Sequence, residues 1–144
     1  MTPREKEKQI QQRWSDDKLQ LVKELCARIP YGVNVYWNGE HNIVKLYKVK
    51  LYGTTPDDYV FSGLGQPEPD YEYDMRLNDI KPYLRSLSTM TKEEAKWCDP
   101  FYNYEGVDEN VISEYIDWMY SHHFDINKLI ERGLAVEAPE DMYN

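Results

Sequence analysis

The sequence predicts an α+β fold in which helices and strands occupy separate parts of the chain. Three observations support this prediction. Residues 1–29 and 111–139 show the helical spacing of apolar residues, whereas residues 33–77 contain short alternating runs separated by turn residues. We expect a small antiparallel sheet of four to five strands, with closure into an SH3-like barrel as one alternative, between an N-terminal helix and C-terminal helices that end in an αα-hairpin.

The N-terminal helix has a strong start signal in Thr2–Glu5, which combines a capping threonine, a proline at the first helical position and a glutamate three residues after the cap. Ser15–Asp17 offers a second start, so the pattern fits either one helix or two. The polar residues 1–14 also suit a mobile helical arm, and Pro30 ends the pattern. The apolar stripe consists of Leu21, Val22, Leu25, Cys26 and Ile29.

The first two strands form a predicted hairpin. Val33–Trp37 alternates, Asn38-Gly39 is a tight-turn signal, and Ile43–Tyr52 returns. The alternation of the return strand changes phase near Leu46 and Tyr47, which indicates a bulge.

Two further strands follow, at Tyr59–Ser62 and at Tyr71–Leu77, where apolar and charged residues alternate most regularly. We expect Asp79–Arg85 to form a short turn or 3₁₀ segment that leads away from the sheet. Thr91–Glu94 is another capping box, and its helix should end near Trp97 or Cys98, before Asp99-Pro100. The aromatic segment Phe101–Gly106 is expected to be a loop.

The C-terminal stretch predicts an αα-hairpin. Its first helix presents Ile112, Tyr115, Ile116, Met119 and His123 on one face. Asp125 is placed to cap a second, short helix at Ile126–Arg132. Gly133 suits a left-handed closing residue, and Pro139 prevents continuation.

Composition and charge restrict the functions that fit. The 144 residues suit a single domain, 1–144, and carry a net charge of −9. An acidic chain argues against a binder of nucleic-acid backbones. Residues 1–52 nevertheless hold 10 basic and 6 acidic side chains, which leaves a local basic face open. The absence of a membrane-length apolar segment, together with two isolated cysteines, Cys26 and Cys98, predicts no membrane association and a cytoplasmic location with reduced thiols.

The histidines give an alternative enzymatic interpretation. A metal-dependent or hydrolytic enzyme could use His122, His123 or His41 with nearby carboxylates such as Asp125. However, adjacent helical residues diverge by about 100°, so the first two imidazoles should point apart. We therefore expect His123 to pack at the corner and His122 to be solvated, and we assign no catalytic, cofactor-binding or metal-binding residue and no cofactor.

Three stretches, taken together, carry a resemblance. They are Leu25–Val33, Asp79–Arg85 running to Met90–Glu94, and His122–Asp125 running through Leu129–Ala135 to Glu137–Pro139. The chain resembles an uncharacterised family of small proteins from gut Bacteroidales that are often encoded in phage-like or other mobile regions. Ser86, where proline would be expected, and the Tyr and Trp choices depart from that pattern. The resemblance implies a bacterial cytoplasmic setting and a mobile-element origin, and it implies no functional residue.

The leading functional hypothesis is a non-enzymatic protein-interaction module with a protein partner, existing as a monomer or homodimer. It rests on the 13 tyrosines, which are large amphipathic contact residues, and on the uneven charge. The expected interaction surface consists of Tyr36, Trp37, Tyr47, Tyr52 and Tyr102. The alternative is a weak nucleic-acid binder through the Lys45–Lys50 strand, with tyrosines stacking on bases.

Overall fold

The structure is a computed structural model that describes residues 2–37, 43–66, 69, 71–102 and 109–143, with the side chains of 7–15 and 99–102 left out. Its contacts divide the chain into two compact units, Met1–Pro82 and Tyr83–Asn144. The regular elements are α1 (Pro3–Arg28), β1 (Asn34–Trp37), β2 (Val44–Leu51), β3 (Tyr59–Gly65), β4 (Glu72–Arg76), β5 (Ile80–Leu84), α2 (Lys92–Tyr102), α3 (Glu109–Ser121) and β6 (Val136–Glu137). The expectation of a single domain stays a prediction.

The α+β class is confirmed, but the closed barrel is not. The strand order is β4-β3-β2-β1-β5-β6, so the sheet of described strands is open, with β4 and β6 as its ends. All pairs are antiparallel except β5 with the two-residue β6. The boundary between the two units falls within β5, after Pro82. The first part of β5, up to Pro82, pairs with β1 in the first unit, and its last two residues pair with β6 in the second.

One continuous helix, α1, resolves the choice between one helix and two. The predicted capping box forms, because the Thr2 hydroxyl accepts from the Glu5 amide while the Glu5 carboxylate accepts from the Thr2 amide. The apolar stripe is also confirmed, since Leu21, Val22 and Leu25 are buried and its other members are half-buried. The mobility of residues 1–14 stays a prediction.

A buried ion pair lies on the inner face of α1. Arg28 donates through Nη1 to the Glu24 carboxylate, one helical turn earlier, and to the Glu24 carbonyl oxygen at 3.3 Å. Both side chains are fully buried. Burying two charges costs several kcal/mol each in solvation, so each member of the pair needs the other to remain charged in the core.

The hairpin strands follow the prediction, including the bulge. The register of β2 against β3 shifts between Leu46 and Lys48, where the alternation changes phase in the sequence. β3 is longer than predicted and extends to Gly65, and β4 lies within the predicted Tyr71–Leu77. The Asn38-Gly39 turn lies outside the described residues.

Close approach at Gly63 packs the strands of the first unit tightly. A Cβ at Gly63 would lie 2.5 Å from the Lys45 carbonyl oxygen and 2.7 Å from a Val44 methyl carbon, so only glycine fits without a shift of the neighbouring strand.

On the buried face, the rings of Trp37 on β1 and Tyr73 on β4 come within 5.1 Å of each other, centroid to centroid. Strands that are not neighbours therefore touch across the buried face.

The segment Asp79–Arg85 corrects the prediction, because most of it forms β5 rather than leaving the sheet. Pro82 lies opposite Val35 of β1, and only the preceding Leu77–Asp79 is a 3₁₀ turn. Four of the five β5 residues, Ile80, Pro82, Tyr83 and Leu84, are buried. Burial of these residues outweighs the local turn signal, and proline is accommodated because pairing with β6 begins only at Tyr83.

In the second unit, α2 begins at the predicted capping box but continues to Tyr102, beyond the expected end before Pro100. Outside the first turn, proline removes one backbone donor and crowds the carbonyl group four residues earlier, so the continuation of α2 past Pro100 runs against the local signal. Phe101 and Tyr102 therefore belong to α2 rather than to a loop, while residues 103–106 lie outside the described part of the chain.

The predicted second helix of the αα-hairpin is wrong: Ile126–Arg132 forms hydrogen-bonded turns. Lys128 adopts a left-handed φ of 58°, which interrupts helical geometry. The predicted caps are present nonetheless. The Asp125 carboxylate accepts from the amides of Leu129 and Ile130, at 2.8 and 3.0 Å. Gly133 is left-handed, and the Leu134 amide donates to the Leu129 carbonyl oxygen at 2.9 Å.

Among the described residues, no helix combines the length and apolar character that crossing a bilayer requires.

The buried pair of α1 gives a first testable prediction. Arg28→Met should lower the free energy of unfolding by about 3–5 kcal/mol, because it leaves the Glu24 carboxylate buried without its partner. The double variant Glu24→Gln/Arg28→Met should recover a large part of that loss, since no uncompensated charge remains. Chemical denaturation of the purified variants measures both values.

The exposed pair between Lys18 and Asp57, with a separation of 3.0 Å, is the matched control. Lys18→Met should cost less than about 1 kcal/mol, because water already solvates both charges. If Arg28→Met costs no more than Lys18→Met, the buried pair does not have the role assigned to it.

Candidate interaction site

An open cleft of about 500 Å³ lies in the first unit, between the 3₁₀ turn Ile29–Tyr31 and β2. We call it the tyrosine cleft. Its lining consists of Ile29, Pro30, Tyr31, Gly32, Lys45, Leu46, Tyr47 and Leu64. Tyr31 and Tyr47 are 44% and 46% exposed. The cleft is therefore mostly apolar and reachable from solvent.

Strand alternation places Lys45 and Tyr47 on the outer face of β2. Val44 and Leu46 are buried, so the residues that alternate with them point away from the core. Leu64 lies directly opposite Lys45 in the pairing with β3 and therefore shares that face. Burial of two core side chains thus determines which residues line the cleft.

Gly32 brings the Lys45 side chain into the cleft. The left-handed φ of 72° at Gly32 ends the 3₁₀ turn. A Cβ at Gly32 would lie 2.5 Å from Lys45 Cε and 3.3 Å from Lys45 Nζ. The lysine side chain therefore occupies the space that any other residue would fill, with its ammonium group beside the turn that carries Tyr31.

Glu72 on β4 controls the electrostatics on one side of Tyr47. A hydrogen bond with Glu72 raises the pKa of the Tyr47 hydroxyl, and the same bond, together with the Lys48 ammonium, lowers the pKa of Glu72. Lys48 Nζ lies 3.2 Å from the Glu72 carboxylate and 5.6 Å from the Tyr47 ring centroid. Glu72 therefore offsets the charge of Lys48 next to the cleft.

The aromatic residues predicted from sequence are exposed to different degrees. Tyr47 and Tyr52 are exposed, the latter by 71%, and Tyr36 and Trp37 are half-buried. Tyr102 lies at the end of α2, and its side chain is outside the description. Of the four residues whose side chains are described, only Tyr47 lines the tyrosine cleft, and the role of all five in an interaction stays a prediction.

Tyr31 is the cleft residue that the sequence analysis missed. Tyr31 is part of Leu25–Val33, one of the three stretches that carry the family resemblance, and no other prediction includes it. It lies between Pro30, which ends the helical pattern, and Gly32. An aromatic residue between proline and glycine at the end of a helix signals a turn that holds a large side chain at the surface. That signal names Tyr31, but it does not reveal that β2 lies opposite.

The histidines of the second unit lie in two different environments. His122 is half-buried: its ring stacks on Trp118 at 4.1 Å, and its Nδ1 lies 2.9 Å from the Trp118 carbonyl oxygen. The expectation of a solvated His122 is therefore wrong. His123 is buried, as expected for packing at the corner, with its ring 4.0 Å from that of Tyr143. His41 lies outside the described residues.

In the described part of the chain, no group of three or more His, Cys, Asp or Glu side chains could hold a metal ion. Cys26 and Cys98 form no disulfide within the described part of the chain, and burial raises the pKa of Cys26. The Cys26 thiol is therefore protonated at neutral pH and less reactive as a nucleophile than an exposed cysteine.

Arg85 organises the second unit. Its guanidinium group makes two 2.8 Å hydrogen bonds to the Glu94 carboxylate and lies 4.2 Å from the centroid of the Phe124 ring. The hydrogen bonds from Arg85 lower the pKa of Glu94 to about 2. Trp118 stacks between Phe124 and Trp97, with centroids 5.9 and 4.6 Å away. This cluster joins α2, α3 and the residues that follow β5.

No family model, curated protein or solved structure matches the chain. The resemblance to the Bacteroidales family stays a prediction.

The depressed pKa of Glu94 gives a second testable prediction. A carboxylate whose pKa is lower in the folded protein stabilises it above the unfolded value of 4.5, and that contribution is lost as the pH falls towards 2. Glu94→Gln should therefore lower the free energy of unfolding by about 1–2 kcal/mol at neutral pH. This range is smaller than the full pKa shift would give, because the pair is partly exposed and solvent screens it. The difference from wild type should shrink steadily below about pH 4.5, measured by denaturant unfolding across pH.

Glu93→Gln is the matched control, because Glu93 is the exposed neighbour and makes no ion pair with any described residue. It should change stability little at any pH. A destabilisation by Glu94→Gln that stays constant down to acidic pH would contradict the role given to the Arg85–Glu94 pair.

Proposed function

We propose that the chain is a non-enzymatic protein-interaction module that binds a protein partner through the tyrosine cleft. The observation that carries the proposal is the pair of exposed tyrosines, Tyr31 and Tyr47, which lie on opposite sides of an accessible, largely apolar cleft. Tyrosine is enriched among the residues that dominate binding energy at protein interfaces. Two of them beside a cleft supply a large apolar contact area together with hydroxyl groups for hydrogen bonding.

The charges around the cleft favour a protein over a nucleic acid. A nucleic-acid strand needs a continuous row of cations for its phosphates, and the sequence suggests the Lys45–Lys50 strand for this role. Glu72 pairs with Lys48 in the middle of this row and accepts the hydrogen bond of Tyr47. A phosphate approaching Tyr47 would therefore meet a carboxylate as well as a lysine, which weakens the nucleic-acid alternative.

We further propose the setting that the sequence resemblance implies: a cytoplasmic bacterial protein of phage or mobile-element origin. Such a protein would act as a monomer or homodimer on a host or phage protein. None of these statements affects the choice of the cleft, which rests on the geometry of the first unit alone.

Photo-cross-linking tests the proposal directly. A benzophenone amino acid placed at position 47 should give a discrete protein adduct in a Bacteroidales lysate, whereas the same group at Tyr71 should not. Tyr71 is 70% exposed but does not line the cleft, so it controls for exposure alone. Mass spectrometry of the adduct identifies the partner.

The variant Tyr31→Ala should then weaken binding of the identified partner by about tenfold or more, as expected for an interface hot spot, while Tyr71→Ala leaves it unchanged. Titration calorimetry with the purified partner measures the difference. Adducts that are identical at positions 47 and 71, or a complete absence of protein adducts, would count against the proposal.

A further inference from the structure

The tyrosine cleft holds one positive charge that the described residues leave unmatched. Lys18 and Lys48 are both within ion-pair distance of a carboxylate, at 3.0 and 3.2 Å. No carboxylate of the described ranges lies within ion-pair distance of Lys45. Although Lys45 is an exposed residue, the end of its side chain lies against Gly32 at the edge of the cleft. A positioned, unmatched cation in an accessible cleft favours an anionic group on the occupant.

The remaining lining is largely apolar and comes from the turn after α1 and from β2 and β3. Pro30, Leu64 and the two tyrosines line the same cleft as Lys45. Lys45 and Tyr47 are two residues apart on β2, which separates their Cα atoms by at most about 7 Å, since the bulge between Leu46 and Lys48 falls at Tyr47. That spacing matches the distance between alternate side chains of an extended peptide, so an apolar residue and an acidic residue of one peptide could engage both positions.

Charge distribution also permits an acidic partner here. The first unit, residues 1–82, contains 12 basic and 13 acidic side chains and is nearly neutral, although the whole chain carries −9. Most of the acidic excess lies in residues 83–144, with 13 acidic and 5 basic side chains. An acidic segment approaching the tyrosine cleft therefore meets a nearly neutral unit, and its carboxylate is favoured beside Lys45 rather than beside Tyr47, where Glu72 would repel it.

We infer that the tyrosine cleft binds an extended peptide segment of another protein, in which a carboxylate contacts Lys45 and a nearby apolar side chain lies between Tyr31 and Tyr47. This inference rests on the proposed function and specifies its partner. Aromatic-walled grooves commonly bind extended segments in this way, because an already extended chain loses little conformational entropy on binding. The carboxylate supplies the selectivity, because a bound peptide without one would remove water from the Lys45 ammonium group without replacing it by another partner.

The experiment uses short random peptides displayed as a library and selected against the full chain. Selected sequences should share an acidic residue close to an apolar one, and the matching synthetic peptide should bind in fluorescence anisotropy. Lys45→Met should weaken binding by about tenfold, as for loss of a hydrogen bond to a charged group, and Lys45→Arg should retain most of the affinity. Replacing the acidic residue of the peptide by its amide should have a similar effect to Lys45→Met.

Two controls separate this inference from the proposed function. Lys23→Met removes an exposed lysine of α1 outside the cleft and should leave binding unchanged. If Tyr47→Ala abolishes binding while Lys45→Met does not, the cleft binds peptides but the acidic partner is wrong. If neither variant affects binding, or no peptide is enriched, both proposals fail. An oligothymidylate that binds wild type but not Lys45→Met would assign the cleft to nucleic acid and overturn the inference.

Discussion

The alternation of β2 is the constraint on which the tyrosine cleft depends. Val44 and Leu46 are almost completely buried, so Lys45 and Tyr47 must point outward. A shift of one residue in the register would bury the lysine and expose the two core side chains. Gly63 supports the same arrangement, because its lack of a side chain lets β3 approach the Lys45 carbonyl oxygen. Core packing and the candidate interface are thus set by the same strand.

Sequence reasoning predicts features that depend on neighbouring residues. The capping boxes at Thr2 and Thr91 and the left-handed Gly133 all form, because each needs only a few adjacent residues. The bulge of β2 also forms, since the change of phase is visible in the strand itself. The prediction fails where distant contacts decide the outcome. β5 carries a proline and turn-like flanking residues, but burial beside β1 makes it a strand.

Only the β2 side of the candidate site could be predicted from the sequence, for the same reason. The sequence analysis names Tyr47 as an exposed aromatic residue and Lys45–Lys50 as a basic strand, and both Lys45 and Tyr47 are exposed in the structure. The opposite side of the cleft comes from the turn after α1, and its position beside β2 depends on how the chain folds back after Gly32. A pattern within one strand contains no information about that approach. Likewise, no feature of the sequence pairs Glu72 with Lys48, because the contact depends on the register of β2, β3 and β4.

The lysines of the first unit differ in the groups that their side chains contact, and this difference determines which of them is suited to binding an anionic group. Lys48 is matched by Glu72, so its charge supports the sheet. Lys23 is an exposed lysine of α1, and its flexible side chain would lose conformational entropy on binding. Lys45 is also exposed, but the end of its side chain lies against Gly32, and no described carboxylate pairs with it. Part of the entropy cost of ordering this side chain is already met in the folded protein, so an anionic group that reaches Lys45 gains more than it would from a freely moving lysine.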